Sequence, residues 1–266
     1  IDDGLYTRQG VPVPDYLLAL HTAPVPTGVV ANAAGTRMAG MDQIDVVFKG
    51  VGGHGSTPQF TKDPVVMTAN AIVQYQTIVA RAIDPQETAV ITVGSVQAGK
   101  DNNVIPGESL VKINLRWFNQ ATRETLMKGI RRINEAIARA YGMPENQLPS
   151  FTLKGSAPPL VNTRELVDRI NAQLVNLVGQ RALLDTAPAT TGSEDVPVLM
   201  TGHEDAIKMD FAFVGVADPA LFAKAQAEGL VVPFSNHNAN FQVDLNAVPF
   251  GAKVASIMTL EMFSGR

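Results

Sequence analysis

The hydrophobic and polar positions along the chain change rhythm twice. Tyr16-Leu17-Leu18-Ala19-Leu20 is an apolar run of buried-strand length, ending at His21 and running into a loop that carries Pro24, Pro26 and Gly28. From residue 37 to about 155 the pattern differs. Ile44, Val46 and Phe48 alternate with Asp45 and Lys49, as in a half-buried strand. Asp63-Pro64 supplies an N-cap followed by proline at the first helical position, which predicts a helix to about Ile83 with Val65, Ala69, Ile72, Val79 and Ile83 near one face. Ala89 to Val96 is rich in β-branched residues and reads as a strand; in the next strand Val111, Ile113, Leu115 and Trp117 share one face and Lys112, Asn114 and Arg116 the other. A second helix is expected from about Thr122 to Tyr141, with Leu126, Ile130, Ile133 and Ile137 at helical spacing and Gly142 as its stop. Phe151 to Lys154 can supply a last strand.

The order β-α-β-β-α-β buries those stripes most economically as two helices on one face of a four-stranded antiparallel sheet. After Gly155 the pattern changes again. Leu166, Ile170, Leu174 and Leu177 outline a helix, Phe211 to Val216 a buried strand and Asn246 to Phe263 a terminal helix. The expected architecture is α/β: residues 1–36 and 156–266 form one domain, with residues 37–155 inserted into it as a second.

Composition narrows the partners. With 45% hydrophobic and 17% charged residues in 266, the chain can bury a substantial core. A net charge of -4, without a basic tract, gives no electrostatic reason to expect nucleic acid or an anionic membrane. No apolar stretch has the length of a membrane span. The absence of cysteine removes disulfides, thiolate metal sites and thiol nucleophiles from consideration.

The remaining chemistry sits in short segments. His21 ends an apolar strand, where sites collect in α/β domains, and a neutral imidazole there can bind zinc, manganese or a similar ion. His237 lies in a polar loop, Asn236-His237-Asn238, and reads equally as a surface histidine. His203 follows Thr201-Gly202 in a turn and reads as structural. Gly50-Val51-Gly52-Gly53-His54-Gly55 satisfies the dinucleotide pattern G-x-G-x-x-G, but the next helix begins only near Pro64 and no acidic residue ends a following strand at the required distance. Those glycines read instead as letting backbone turn and approach a ligand beside the His54 imidazole. Asn103, in Asn103-Val104-Ile105-Pro106, can donate to an oxyanion or a carboxylate, or simply sit in a turn. Arg116 offers an anion site or a solvated strand face. Gly192-Ser193-Glu194-Asp195 offers paired carboxylates for metal, base or structural use.

In chain order the segments DYLLALHTAP (from Asp15), GVGGHGSTP (from Gly50), NVIP (from Asn103), LRWF (from Leu115), GSED (from Gly192) and HNANF (from His237) resemble the M20 family of metallopeptidases and amidohydrolases, nearest its hippurate hydrolases, N-acyl-amino-acid amidohydrolases and auxin-conjugate hydrolases. The resemblance implies a zinc-peptidase-like catalytic domain with an inserted lid that also dimerises the protein. It implies metal-dependent hydrolysis of the amide bond of N-acyl amino acids or small peptide-like substrates, with two divalent ions, zinc, manganese or similar. By resemblance His21 and His237 are metal ligands, His54 projects from the lid to stabilise the tetrahedral intermediate, and Asn103 and Arg116 bind the substrate's carboxylate or the oxyanion. The expected partners are a small N-acyl amino acid and a second copy of the chain. The family's first metal segment and its Glu-Glu pair have no counterpart in these residues, and its C-terminal His-Ser-Pro reads His237-Asn238-Ala239 here. The expectation is therefore the C-terminal part of a longer enzyme, inactive alone. The competing expectation is a non-catalytic dimerisation or ligand-binding module derived from such an enzyme.

Overall fold

The structure is a computed structural model describing Ile1 and residues 3–264. In chain order its elements are β1 (Tyr16–Pro26), β2 (Val30–Ala31), β3 (Gly35–Met38), β4 (Gly40–Lys49), β5 (Gly53–His54), α1 (Pro64–Ala82), β6 (Val90–Ala98), β7 (Val104–Ile105) and β8 (Glu108–Trp117). There follow α2 (Gln120–Ala140), β9 (Ser150–Ala157), β10 (Leu160–Asn162), α3 (Arg164–Val178), β11 (Leu183–Leu184), β12 (Lys208–Ala217), α4 (Pro219–Ala227) and α5 (Ala247–Glu261). The chain divides into two compact units: Met38–Pro159 with Thr191–Asp195, and the segments before, between and after these.

The unit around Met38–Pro159 contains the β-α-β-β-α-β order in β4, α1, β6, β8, α2 and β9. Its sheet runs β6-β8-β4-β9, antiparallel throughout. Alternation puts Ile44, Val46, Phe48, Val111, Ile113, Leu115 and Trp117 on the face that α1 and α2 cover. The side chain of Asp63 accepts a hydrogen bond from the Val65 amide and starts α1. Asn119 caps α2 by accepting from the Thr122 amide at 2.8 Å, so this helix begins at Gln120, before the expected Thr122. The α2 stripe Leu126, Ile130, Ile133 and Ile137 is buried. The α1 stripe differs from expectation. Met67, Ala71, Tyr75 and Ile78 face the core while Val65 and Ala69 are exposed. An inward Tyr75 hydroxyl donating to the Asn134 side chain on α2 fixes this rotation.

One charge lies inside this core. Asp42 is fully buried; it accepts from the Trp117 indole at 2.8 Å and bidentately from Arg123 at 2.9 and 2.8 Å. The pair joins β4, β8 and α2, and Arg123 is held above its ordinary pKa mainly by this hydrogen bonding.

The other unit has a four-stranded sheet ordered β1-β12-β2-β11, with β3 and β10 forming a separate ribbon. β1 runs parallel to β12 from Tyr16↔Lys208 to Ala23↔Gly215. It therefore continues past His21, where a strand end was expected, because β12 supplies ladder partners beyond that point. Leu166, Ile170 and Leu174 of α3 and Val254, Ile257 and Met258 of α5 pack with Val30, Ala212 and Val214 in the core.

Candidate functional site

His54 and Asn103 are brought together by a ribbon in which β5 pairs antiparallel with β7, Gly53↔Ile105 and His54↔Val104, and the Gly55 amide donates to the Asn103 carbonyl at 2.7 Å. The glycines make this ribbon possible. A Cβ on Gly52 would lie 2.8 Å from the Ile105 carbonyl oxygen, and one on Gly55 3.1 Å from that of Asn103. The close approach at these two glycines is to the chain's own backbone.

The His54 ring is exposed, and its Nδ1 faces two donors: the Ser56 amide at 3.1 Å and the Ser56 hydroxyl at 2.7 Å. A backbone N–H can only donate, so Nδ1 is the acceptor and the ring proton sits on Nε2. Thr57 closes the turn with its amide on the His54 carbonyl at 2.9 Å.

Arg116, half-buried on β8, donates from Nε to the Asn114 side chain at 2.8 Å and from Nη1 to the Ser193 hydroxyl at 2.6 Å. Both acceptors are neutral, and no carboxylate pairs with it within 4.0 Å among the described residues. The guanidinium is thus oriented while its charge stays uncompensated, the condition of an anion receptor. Ser193 reaches it because Thr191–Asp195 belongs to the same unit, tied by the Gly192 carbonyl to the Ala39 amide at 2.9 Å. In that segment the hydroxyl makes the contact to Arg116, while Glu194 accepts from the neighbouring Asp195 amide.

His21 and the His237 segment lie in the other unit and share an acceptor. The Thr22 carbonyl receives His21 Nδ1 at 2.8 Å and the Asn236 side-chain amide at 2.9 Å. A carbonyl only accepts, so Nδ1 of His21 carries a proton, and in the neutral ring Nε2 keeps its lone pair. Phe211 and Phe213 wall the ring, with centroids 6.2 and 6.0 Å away. His237 is exposed and, alone among the described non-glycine residues, has a positive φ, 63°, a conformation uncommon outside glycine. His203 stands edge-on to Tyr6 at 5.3 Å, a packing contact.

This donor chemistry suits a divalent ion only in part. His21 has the ligand tautomer, held by a carbonyl as ligating imidazoles commonly are. Asn236 Oδ1 is a buried acceptor without a partner beside it. Yet no three His, Cys, Asp or Glu side chains among the described residues are grouped to hold a metal.

Sequence reasoning missed Ser56, Asn114, Ser193 and Asn236. Only Ser56 had a local signal, its place two residues after a histidine in a turn.

The fold and these segments define an α/β chain with an inserted dimerisation domain. Residues 37–142 match the M20 peptidase dimerisation domain, and the chain belongs to the M20 family. It is 39% identical over 155 residues to the N-acetyldiaminopimelate deacetylase of Oenococcus oeni, covering 58% of this chain and 40% of that protein. It is 29% identical over 249 residues to the IAA-amino acid hydrolase ILR1-like 2 of Arabidopsis thaliana, covering 92% and 52%. Among solved structures, the Bacillus subtilis YXEP protein, described as a dinuclear metal binding peptidase from the M20 family, has the same fold, with a TM-score of 0.71, 20% identity, and 97% of this chain and 60% of that one covered. The chain spans about half the length of the curated relatives it matches.

Proposed function

We propose that these residues serve metal-dependent hydrolysis of the amide bond of N-acyl amino acids. The opposed tautomers of two histidines carry the reading: His21 presents a lone pair at Nε2, fit for a metal, and His54 presents a proton there, fit for an oxyanion. In this reading His21 and His237 are metal ligands, for zinc, manganese or a similar ion. When bound, a pair of such ions polarises the amide carbonyl and activates water. His54 donates from Nε2 to the oxygen that gains charge as the tetrahedral intermediate forms, so its hydrogen bond strengthens in the transition state. The Asn103 amide is a second donor to that oxygen or to the substrate carboxylate. Arg116, already aimed by Asn114 and Ser193, takes the carboxylate without first breaking an ion pair. A homodimer through the unit around Met38–Pro159 is part of the proposal.

The test is metal content and turnover of the complete protein. N-acyl amino acids should be hydrolysed, chelation should abolish this, and His21→Ala and His237→Ala should each lose metal. Full occupancy in both variants would sink the ligand assignment. A chain of these 266 residues alone is expected to be inactive even with added zinc or manganese, because two imidazoles lack the carboxylates a hydrolytic pair requires. The same lack of a grouped donor set favours, as a second reading, a non-catalytic dimerisation or ligand-binding module. That reading requires the complete protein to bind one ion weakly or none.

A further inference from the structure

We propose that Ser56 is a positioning residue that locks His54 in its Nε2–H tautomer and aims the ring. The inference deepens the functional reading above and rests on it only for the use to which the proton is put.

A neutral imidazole in water exchanges its proton between two nitrogens, and only one of the resulting forms can donate from Nε2. Ser56 removes the other form. Its amide and hydroxyl both point at Nδ1, at 3.1 and 2.7 Å, and a proton on Nδ1 would face the amide hydrogen head-on. The amide can only donate, and the hydroxyl makes its stronger hydrogen bond as a donor to the imidazole lone pair, so both favour the same form and loss of the hydroxyl weakens the selection. The ring is exposed, and among the described residues its hydrogen bonds are those to Ser56. Its direction comes from this fork and from the turn in which the Thr57 amide and hydroxyl hold the His54 carbonyl at 2.9 and 3.3 Å. The consequence is chemical. A donor that must meet an oxyanion pays no tautomerisation step and little ring reorientation when its proton and its direction are set in advance.

Ser56 is exposed, so its replacement should leave the fold intact. The chain has four histidines, few enough for imidazole nitrogens to be assigned by long-range ¹H–¹⁵N correlation at a pH where the rings are neutral. In the wild type His54 Nδ1 should resonate in the unprotonated range and Nε2 in the protonated range. In Ser56→Ala the two shifts should move toward each other as the Nδ1–H form becomes populated, and Ser56→Thr should restore the separation. Shifts already averaged in the wild type, or unchanged in Ser56→Ala, overturn the proposal. Turnover by the complete enzyme separates this from the functional reading. If the nitrogen shifts respond as expected but His54→Gln hydrolyses N-acyl amino acids at the wild-type rate, the lock stands and the oxyanion role of His54 fails. If His54→Gln loses activity while Ser56→Ala leaves both the shifts and kcat unchanged, the role stands and the lock fails.

Discussion

Asp210 lies fully buried on β12, one carboxylate oxygen accepting from Asn32 at 3.0 Å and the other without a partner. Asn32 is buried as well, and its own Oδ1 is also unpartnered, although its amide nitrogen donates to Asp210 and to Asn171. Two orphan acceptors and no matching donor penalise the ionised form. Burial pushes the Asp210 carboxyl up to about 6 from 3.8, against a smaller opposing pull from the Asn32 hydrogen bond. Between the unfolded and folded values the native state holds more protons, so stability falls as pH rises through that window, and the loss is complete above the folded pKa. The shift corresponds to roughly 3 kcal/mol. Asp210→Asn should supply a donor, flatten the pH dependence between about pH 4 and pH 7, and raise the melting temperature at pH 7.5. Thermal melts of both proteins across that range check this; parallel curves would mean Asp210 titrates normally.

The β5–β7 ribbon shows how a structural element can be set by missing side chains. Gly52→Ala must push the Ile105 carbonyl away, and the expected cost is about 1–3 kcal/mol, as for other forced overpacking. Gly107→Ala, in the same loop region with open space at its Cβ position, should be neutral when urea titrations of the two variants are compared with the wild type. Equal effects would show that the ribbon does not depend on the close approach. The helices show where sequence patterns stop being legible. The inner face of α2 is readable because Leu126, Ile130, Ile133 and Ile137 stand against charged neighbours such as Arg123, Lys128 and Arg132. In α1 apolar residues occur all round, so periodicity cannot choose among faces, and the choice falls to the buried Tyr75–Asn134 contact from another helix. β1 overruns its expected end at His21 for a similar reason, since its length is set by β12, far away in sequence. The same limit applies to the candidate site. Histidines and an arginine can be nominated from their segments, but the hydrogen-bond partners that give them tautomers and direction, Thr22, Ser56, Asn114 and Ser193, become visible only once strands and loops are paired.

The outer side of α1 carries what its inner side does not need. Val66 and Val73, two turns apart on one face, are 45% and 71% exposed. In the same unit β6 is an edge strand, with Val96 47% exposed and, among the described residues, no ladder partner on its far side. An open edge beside an apolar helix face is a liability in a monomer and an asset in a symmetric pair, where one patch serves both subunits. This is the physical basis for assigning the proposed homodimer to this unit. Val73→Asp places a charge at the more exposed of the two helix positions, pointing away from the Met67–Ala71–Tyr75–Ile78 stripe, so it should leave the unit folded while opposing self-association. Light scattering at micromolar concentration should give a dimer for the wild type and a monomer for Val73→Asp, with superimposable far-ultraviolet circular dichroism. A wild-type monomer would refute the dimer. A dimeric Val73→Asp would move its interface off this face of α1.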